Sequence, residues 1–374
     1  MAGEWTRARE TGGELTGSVP NATVPAVKRG WLALGAVVAG CGGYLAAWPV
    51  PFDPVAWSPP PAPSLPPNDA LARAERFGRD LPGPEGIAID REGRIFAGLK
   101  DGRIVRVARD GSAVTLANTG GRPLGMQFDA AGRLIVCDAV KGLLAVSPDG
   151  SIRVLSTEQG GLPFRFVDDL DIAPDGTIYF TDASHRFGVH EFRNDLFEHR
   201  PSGRLLAYRP DGRTELVQAG LYFANGVALA ADGSYVLVNE TWAYRVTRVW
   251  LAGERKGQSE VFADNLPGLP DNITRSPRGD RFWLALFAPR NAEFDAMAGK
   301  PFLRKVVARL PERLQPAAVR HGIVLELDDR GGIARSLQDA TPESFSPITS
   351  ALEHEGRLYL GSLWRSELAV LSLP

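Results

Sequence analysis

The chain has 374 residues, 44% of them apolar, enough to bury a large core. Its 42 basic and 44 acidic residues give a formal charge of −2, so there is no overall basic footprint of the kind that neutralises phosphates, and nucleic acid is excluded as an expected partner. The two cysteines, Cys41 and Cys137, cannot form a disulfide framework, so stability must come from packing.

Residues 31–48 (WLALGAVVAGCGGYLAAW) carry no charge and follow Lys28 and Arg29, with Arg7 and Arg9 further upstream. Such a run can just span a bilayer. Between Arg29 and Arg73 there is no Lys or Arg, so the flanking charges place residues 1–30 as a cytoplasmic tail and export everything after the span, to the periplasm or the cell exterior. The prediction is a single-pass transmembrane anchor. Val38-Ala39-Gly40-Cys41 also has the look of a lipoprotein processing site, which leaves a lipid anchor at Cys41 as the alternative. Residues 49–70 are so rich in proline that they read as an extended, semi-rigid linker lifting the next domain off the membrane.

Residues 71–374 repeat one pattern: an apolar pair, a polar turn with Gly, then an alternating apolar run. The copies are GIAIDREGRIFAGL from Gly86, GMQFDAAGRLIVCD from Gly125, DLDIAPDGTIYFTD from Asp169, GVALAADGSYVLVN from Gly226, NITRSPRGDRFWLA from Asn272 and SALEHEGRLYLGSL from Ser350. Each reads as two strands joined by a tight hairpin, where Gly supplies positive φ. Segments such as GRIVRVARDG and GRLLAYRPDG supply further strands. Four strands per unit, repeated radially, predict an all-β fold: a six-bladed β-propeller. Within the fifth-blade region, residues 293–319 break the pattern with a short helical insertion. Phe302, Leu303, Val306, Val307 and Leu310 form its apolar stripe, and Lys300, Arg304, Lys305, Arg309 and Arg313 its basic flank. It reads as a cap packed on the propeller, with a lid on anionic lipid as the other reading.

In a propeller the residues just before each inner hairpin converge on the central channel. Those positions hold Glu85, Asp168, Asp169, Asn225, Asp271 and Asn272, all oxygen donors. Mixed carboxylates and amides suit a hard cation, calcium above all, in the set Glu85, Asp168, Asn225 and Asp271. Zinc would want His and Cys, and the five histidines have no tight ligand spacing. Taken singly, each Asp or Asn before a turn also satisfies backbone donors, so the argument rests on their recurrence. His185, on a loop after a strand, is a candidate catalytic base. Arg290, after a fifth-blade strand, is a candidate to bind a substrate carboxylate, or to pair with an Asp or Glu in a neighbouring blade.

The stretches GPEGIAID, FVDDLDIAPDGTIYFTDAS, FANGVALAADGSYVLVNETW and LPGLPDNI resemble the strictosidine synthase-like and gluconolactonase (senescence marker protein, paraoxonase) superfamily of six-bladed propellers. PFLRKVVARLPERLQPAAVRHGIVLELD is similar to the adipocyte plasma membrane-associated protein branch. The resemblance implies one calcium in the channel, with Glu85, Asn225 and Asp271 at ligand positions. It also implies hydrolysis of a small lactone or aryl ester, with Asp271 in the water-activating role.

Departures from that pattern matter. Asp168 stands where the lactonases usually have Asn, and adds a negative charge. Gly86 stands where a second calcium would need an acid. Leu124 precedes Gly125 where the paraoxonase pattern has a catalytic His, and Ser and Pro in ESFSPITS stand near the strictosidine synthase Glu, with Glu343 upstream. Alkaloid condensation is not expected. A membrane-anchored propeller that binds or scaffolds rather than catalyses is the alternative function.

Overall fold

The computed structural model describes residues 26–108, 110–279 and 281–374. Six four-stranded antiparallel sheets follow one another, with inner strands Ile87–Ile89, Pro123–Phe128, Val167–Ile172, Ala224–Leu229, Gly268–Arg275 and Ser350–His354. The sixth sheet is completed by the N-terminal strand Glu75–Phe77, which pairs with Leu368–Ser372 in the register Glu75↔Val370. That pairing ties the first blade's lead-in to the last blade and closes the ring, so no long sheet edge is left open. The all-β six-bladed propeller expected from the repeats is the observed fold.

The repeated hairpin tips are built by side-chain chemistry. In the first blade Asp90 Oδ1 accepts from the backbone N–H groups of Glu92 (3.1 Å) and Arg94 (2.8 Å), while Gly93 takes a φ of 73°. Asp129 repeats the same turn in the second blade. Asp at the turn's start and Gly at its positive-φ position therefore recur for a mechanical reason.

The core lies between neighbouring blades. Phe96 and Ile104 of the first pack with Leu134 and Val136 of the second, and Trp283 and Val324 of the fifth pack with Leu358 and Leu360 of the sixth.

By its contacts the chain divides into two units, Met1–Trp48 and Pro49–Pro374. In the first, the run expected to be an anchor is helical over Ala26–Ala47, with Cys41 exposed on it. Among the described residues no helix is long and apolar enough to cross a membrane, so passage through a bilayer stays a proposal. The expected tail lies, up to residue 25, outside the described residues.

The proline-rich linker is not a free spacer. Phe52 is buried against Phe187, Phe197, Phe294, Met297 and Val307, and the Trp57 ring stacks on His199 at 4.1 Å. Proline removes N–H donors but leaves carbonyls, and these carbonyls are what the propeller grips. The Pro60 oxygen accepts from Arg290 at 2.6 Å, that of Pro61 from Asn265 at 3.0 Å and that of Pro66 from Gln338 at 2.9 Å.

The insertion forms helices Ala292–Met297 and Pro301–Ala308 and packs as a cap, but with an unexpected face inward. Arg304, expected on the basic flank, is fully buried, whereas Phe302 is 63% exposed and Leu303 37%. The guanidinium donates to the Phe197 carbonyl at 3.0 Å and to the Val55 carbonyl. A cation near the C-terminal end of helix Phe192–Glu198 satisfies carbonyls that the helix leaves open. One Arg thus joins helix, cap and strap.

Because the strap is packed, Phe52→Ala should destabilise the protein by about 3 kcal/mol, as for other buried aromatic truncations. Thermal or denaturant unfolding measures this, and an unchanged midpoint would return the segment to the status of a spacer.

Candidate functional site

Four of the six inner strands lose register at the same place. Pairing slips between Pro123 and Met126, Val167 and Leu170, Ala224 and Val227, and Pro270 and Ile273. Each slip is a two-residue bulge, and bulges re-aim side chains. The first residues of these bulges are Leu124, Asp168, Asn225 and Asp271; Glu85 and Thr349 hold the matching places in blades one and six.

The residue after each of these touches the next blade's backbone. A Cβ on Gly86 would lie 1.8 Å from the Leu124 oxygen, and one on Gly226 2.6 Å from that of Asp271. Gly is required where the strands approach this closely. Where Gly is absent, polar bonds make the same contact: Asp169 Oδ2 accepts from Val227 N–H (3.0 Å), Asn272 N–H donates to the Thr349 carbonyl (3.0 Å), and Ser350 Oγ donates to the Glu85 carbonyl (2.5 Å). Second strands grip the same carbonyls from behind, Thr181 Oγ1 bonding the Asn225 oxygen at 2.7 Å and Asn239 that of Asp271. The ring is therefore closed by contact from blade to blade.

Glu85, Asp168, Asn225 and Asp271 are all buried, at 3%, 2%, 6% and 4% exposure. Burial, then the charges of Glu85 and Asp271, pushes the Asp168 carboxyl well above its ordinary value. Asp271 is pushed up by burial and by Glu85, against the opposing effect of the neighbouring Asn225 amide. Burial raises Glu85 to about 7 against the opposing effect of Arg122. Three buried carboxyl groups that repel one another are stable when protonated or when they share a cation.

Among the described residues no group of three or more His, Cys, Asp or Glu is placed to hold a metal ion, and this includes Glu85, Asp168 and Asp271, so what points to a cation is the chemistry of the donors rather than a preformed cluster of acids. The mixed set fits a hard cation better. Asp168 Oδ1 and Asn225 Oδ1 are buried without a hydrogen-bond partner, as are Asn272 Oδ1 and Thr349 Oγ1 beside them. Buried oxygens are rarely left so. Carboxylate, amide and hydroxyl oxygens around one axis are donors of the calcium type. Beyond the ring the channel widens into a cavity of about 250 Å³, lined by Asn272, Asp171, Arg275 and His354 among others.

The two other expected site residues are engaged elsewhere. His185 Nδ1 donates to the Ser202 carbonyl at 2.5 Å, and none of the four ring side chains bonds to its ring. Arg290 is no free carboxylate clamp. Its guanidinium, 2% exposed, bonds Asp295, Asn265 and the Pro60 carbonyl and lies 4.3 Å from the Tyr244 ring centre. The acid that Arg290 pairs with, Asp295, stands five residues on in helix Ala292–Met297 and not in a neighbouring blade.

Sequence reasoning missed Arg122, which donates to Glu85 Oε2 at 3.2 Å inside the site. A lone Arg between GG and P carries no pattern, though a cation ahead of an inner strand was a signal worth reading. It also missed Asp195, whose buried carboxyl, raised to about 6 by desolvation, accepts from Ser202 and Trp242.

These raised carboxyl groups set a pH dependence. Glu85 and Asp169, both near 7 in the fold and close to 4 when unfolded, bind protons more tightly in the native state. Their contribution to native stability is then greatest at low pH and falls as pH rises through about 7. Measured in chelator, the melting temperature should fall from about pH 5 to about pH 8; a flat or rising curve would contradict the buried, repelling ring.

The profile of the strictosidine synthase family matches residues 168–254, and that of the strictosidine synthase-like N-terminal family residues 64–107. Strictosidine synthase-like protein 3 of Arabidopsis thaliana is 34% identical over 352 residues, covering 84% of this chain and 90% of its own. Adipocyte plasma membrane-associated protein of Rattus norvegicus is 36% identical over 337 residues, covering 83% and 88%. Among solved structures, a gluconolactonase of Xanthomonas campestris has a TM-score of 0.59 at 19% identity, covering 86% of this chain and 99% of its own. Regucalcin of Agrobacterium tumefaciens, described as a calcium-binding protein, has a TM-score of 0.56 at 15% identity, covering 80% and 94%. These two likenesses show the fold, whereas the sequence identities show descent: the chain belongs to the strictosidine synthase-like family, with the adipocyte plasma membrane-associated proteins among its relatives.

Proposed function

We propose that this protein is a membrane-anchored, calcium-dependent hydrolase of lactones or aryl esters. The observation that carries the reading is the pair of buried, unpartnered oxygens, Asp168 Oδ1 and Asn225 Oδ1, beside the carboxyl groups of Glu85 and Asp271. Gluconolactonase and calcium-binding regucalcin among the fold's neighbours support it, and the membrane-associated relatives support the anchor.

Glu85, Asp168, Asn225 and Asp271 would hold the ion. When bound, calcium supplies a Lewis acid for the ester carbonyl. The Asn225 amide beside Asp271 favours the ionised form of that carboxyl. Asp271 orients a water and takes one of its protons as the water oxygen bonds to the acyl carbon. The acyl C–O bond then breaks, and the proton passes to the departing alcohol oxygen. Leu124, Phe166, Phe223 and Trp242 form a buried apolar cluster beside the ring, which limits water on that side.

A second reading, a propeller that binds rather than catalyses, is favoured by one observation. Among the described residues, no histidine hydrogen-bonds to the ring carboxyl groups, so base catalysis falls to Asp271 alone.

The test is a panel of γ- and δ-lactones and phenyl acetate with the full chain in membranes. Calcium-dependent turnover is expected, reduced about 100-fold or more by Asp271→Asn, as for loss of a positioned base. No turnover by the wild type, or equal turnover by the variant, would favour the binding reading. Glu85→Gln with Asn225→Ala should abolish stabilisation by calcium, and an unchanged calcium response would move the ion elsewhere. The full chain should also stay with membranes through an alkaline wash; its release would remove the anchor.

A further inference from the structure

Blade two is the exception in the ring. Its aimed residue, Leu124, is apolar, yet two residues earlier the same blade sends a cation into the site. Arg122 is 6% exposed, its guanidinium donating to the Gly83 carbonyl at 3.0 Å and to Glu85 Oε2 at 3.2 Å. Its backbone N–H donates to Asp138 Oδ1 at 3.0 Å, so the residue is held from both sides. Arg122 acts electrostatically on Asp168 as well as on Glu85.

Charge counting gives this placement a purpose. Glu85, Asp168 and Asp271, with the buried Asp169 carboxyl interacting with them, make the ring strongly negative when ionised, and Arg122 offsets one of those charges. We propose that Arg122 is a positioning residue and a built-in counter-charge to Asp168: it fixes the Glu85 carboxylate and holds cation affinity below what three carboxylates alone would give. Asp168 and Arg122 are then one unit, an added negative charge matched by an added positive one. A ring without its guanidinium would grip calcium more tightly and survive less well without it. This inference rests on the reading that the ring takes calcium, and its test separates the two.

The experiment is a double-mutant cycle in the full-length protein with Arg122→Met and Asp168→Asn, together with Arg122→Lys. Each variant is melted in chelator on the alkaline side of the pH range, where the ring carboxyl groups ionise, and titrated with calcium chloride by calorimetry. Arg122→Met should lower the metal-free melting temperature and tighten calcium binding about tenfold or more, as removal of a nearby like charge requires. Asp168→Asn should do the reverse, the double variant should return toward wild type in both, and Arg122→Lys should stay near wild type in affinity.

A purely structural Arg122 predicts otherwise: destabilisation with and without calcium, no gain in affinity, and no rescue by Asp168→Asn. Either unchanged affinity in folded Arg122→Met or absence of rescue overturns the proposal. If Arg122→Met does not fold, Asp168→Asn must still raise the metal-free melting temperature, and failure to do so overturns it as well. Absence of calcium binding in the wild type defeats the calcium reading alone, because the coupling in chelator still reports on the charge pair.

Discussion

Everything in this propeller that bears on function depends on how closely its six inner strands approach around the axis. Where Gly86 faces Leu124 and Gly226 faces Asp271, no side chain fits between one blade and the next. Where Asp169, Asn272 and Ser350 replace Gly, each makes a hydrogen bond across the same gap. Contact at this radius forces the residue before each crossing to aim into the channel, and the bulges provide the local backbone shape for it. A ring of inward side chains is thus a consequence of closure, and evolution has only to choose their chemistry.

The chosen chemistry opposes stability. Burying three carboxyl groups within reach of one another is unfavourable for the ionised forms, as their raised proton affinities indicate. The fold offsets part of this with Arg122, and leaves oxygens of Asp168 and Asn225 without partners. Such an arrangement is destabilising by itself, and the proposed cation in the ring would offset it. At the periphery the opposite principle operates: the Arg304 bonds to the Phe197 and Val55 carbonyls, the gripped strap carbonyls and the Phe52 cluster hold the cap in place.

The fold was legible because every one of its inner hairpins needs a Gly at the positive-φ position, at Gly93, Gly132, Gly176, Gly233, Gly279 and Gly356, with a polar side chain beside it. The ring residues Glu85, Asp168, Asn225 and Asp271 were legible for a related reason, since they stand one place before a glycine or polar residue that the closure requires. Arg122 was not, because a cation used once in six blades has no period. The strap was misread since proline content reports missing donors and says nothing of carbonyls awaiting a partner. Arg304 was misplaced because amphipathic patterning assumes that charge faces water, while a guanidinium can also face a helix end. Arg290 and His185 were read from loop position, which does not reveal that Asp295 and the Ser202 carbonyl already hold them.

The most direct measurement is crystallographic: diffraction from crystals grown with calcium, then with a lanthanide in its place, using the anomalous signal to locate the ion. The account predicts one strong peak on the channel axis, within about 2.3–2.6 Å of oxygens from Glu85, Asp168, Asn225 and Asp271, the calcium–oxygen range. A channel without a peak, or an ion bound only at the surface, would contradict it.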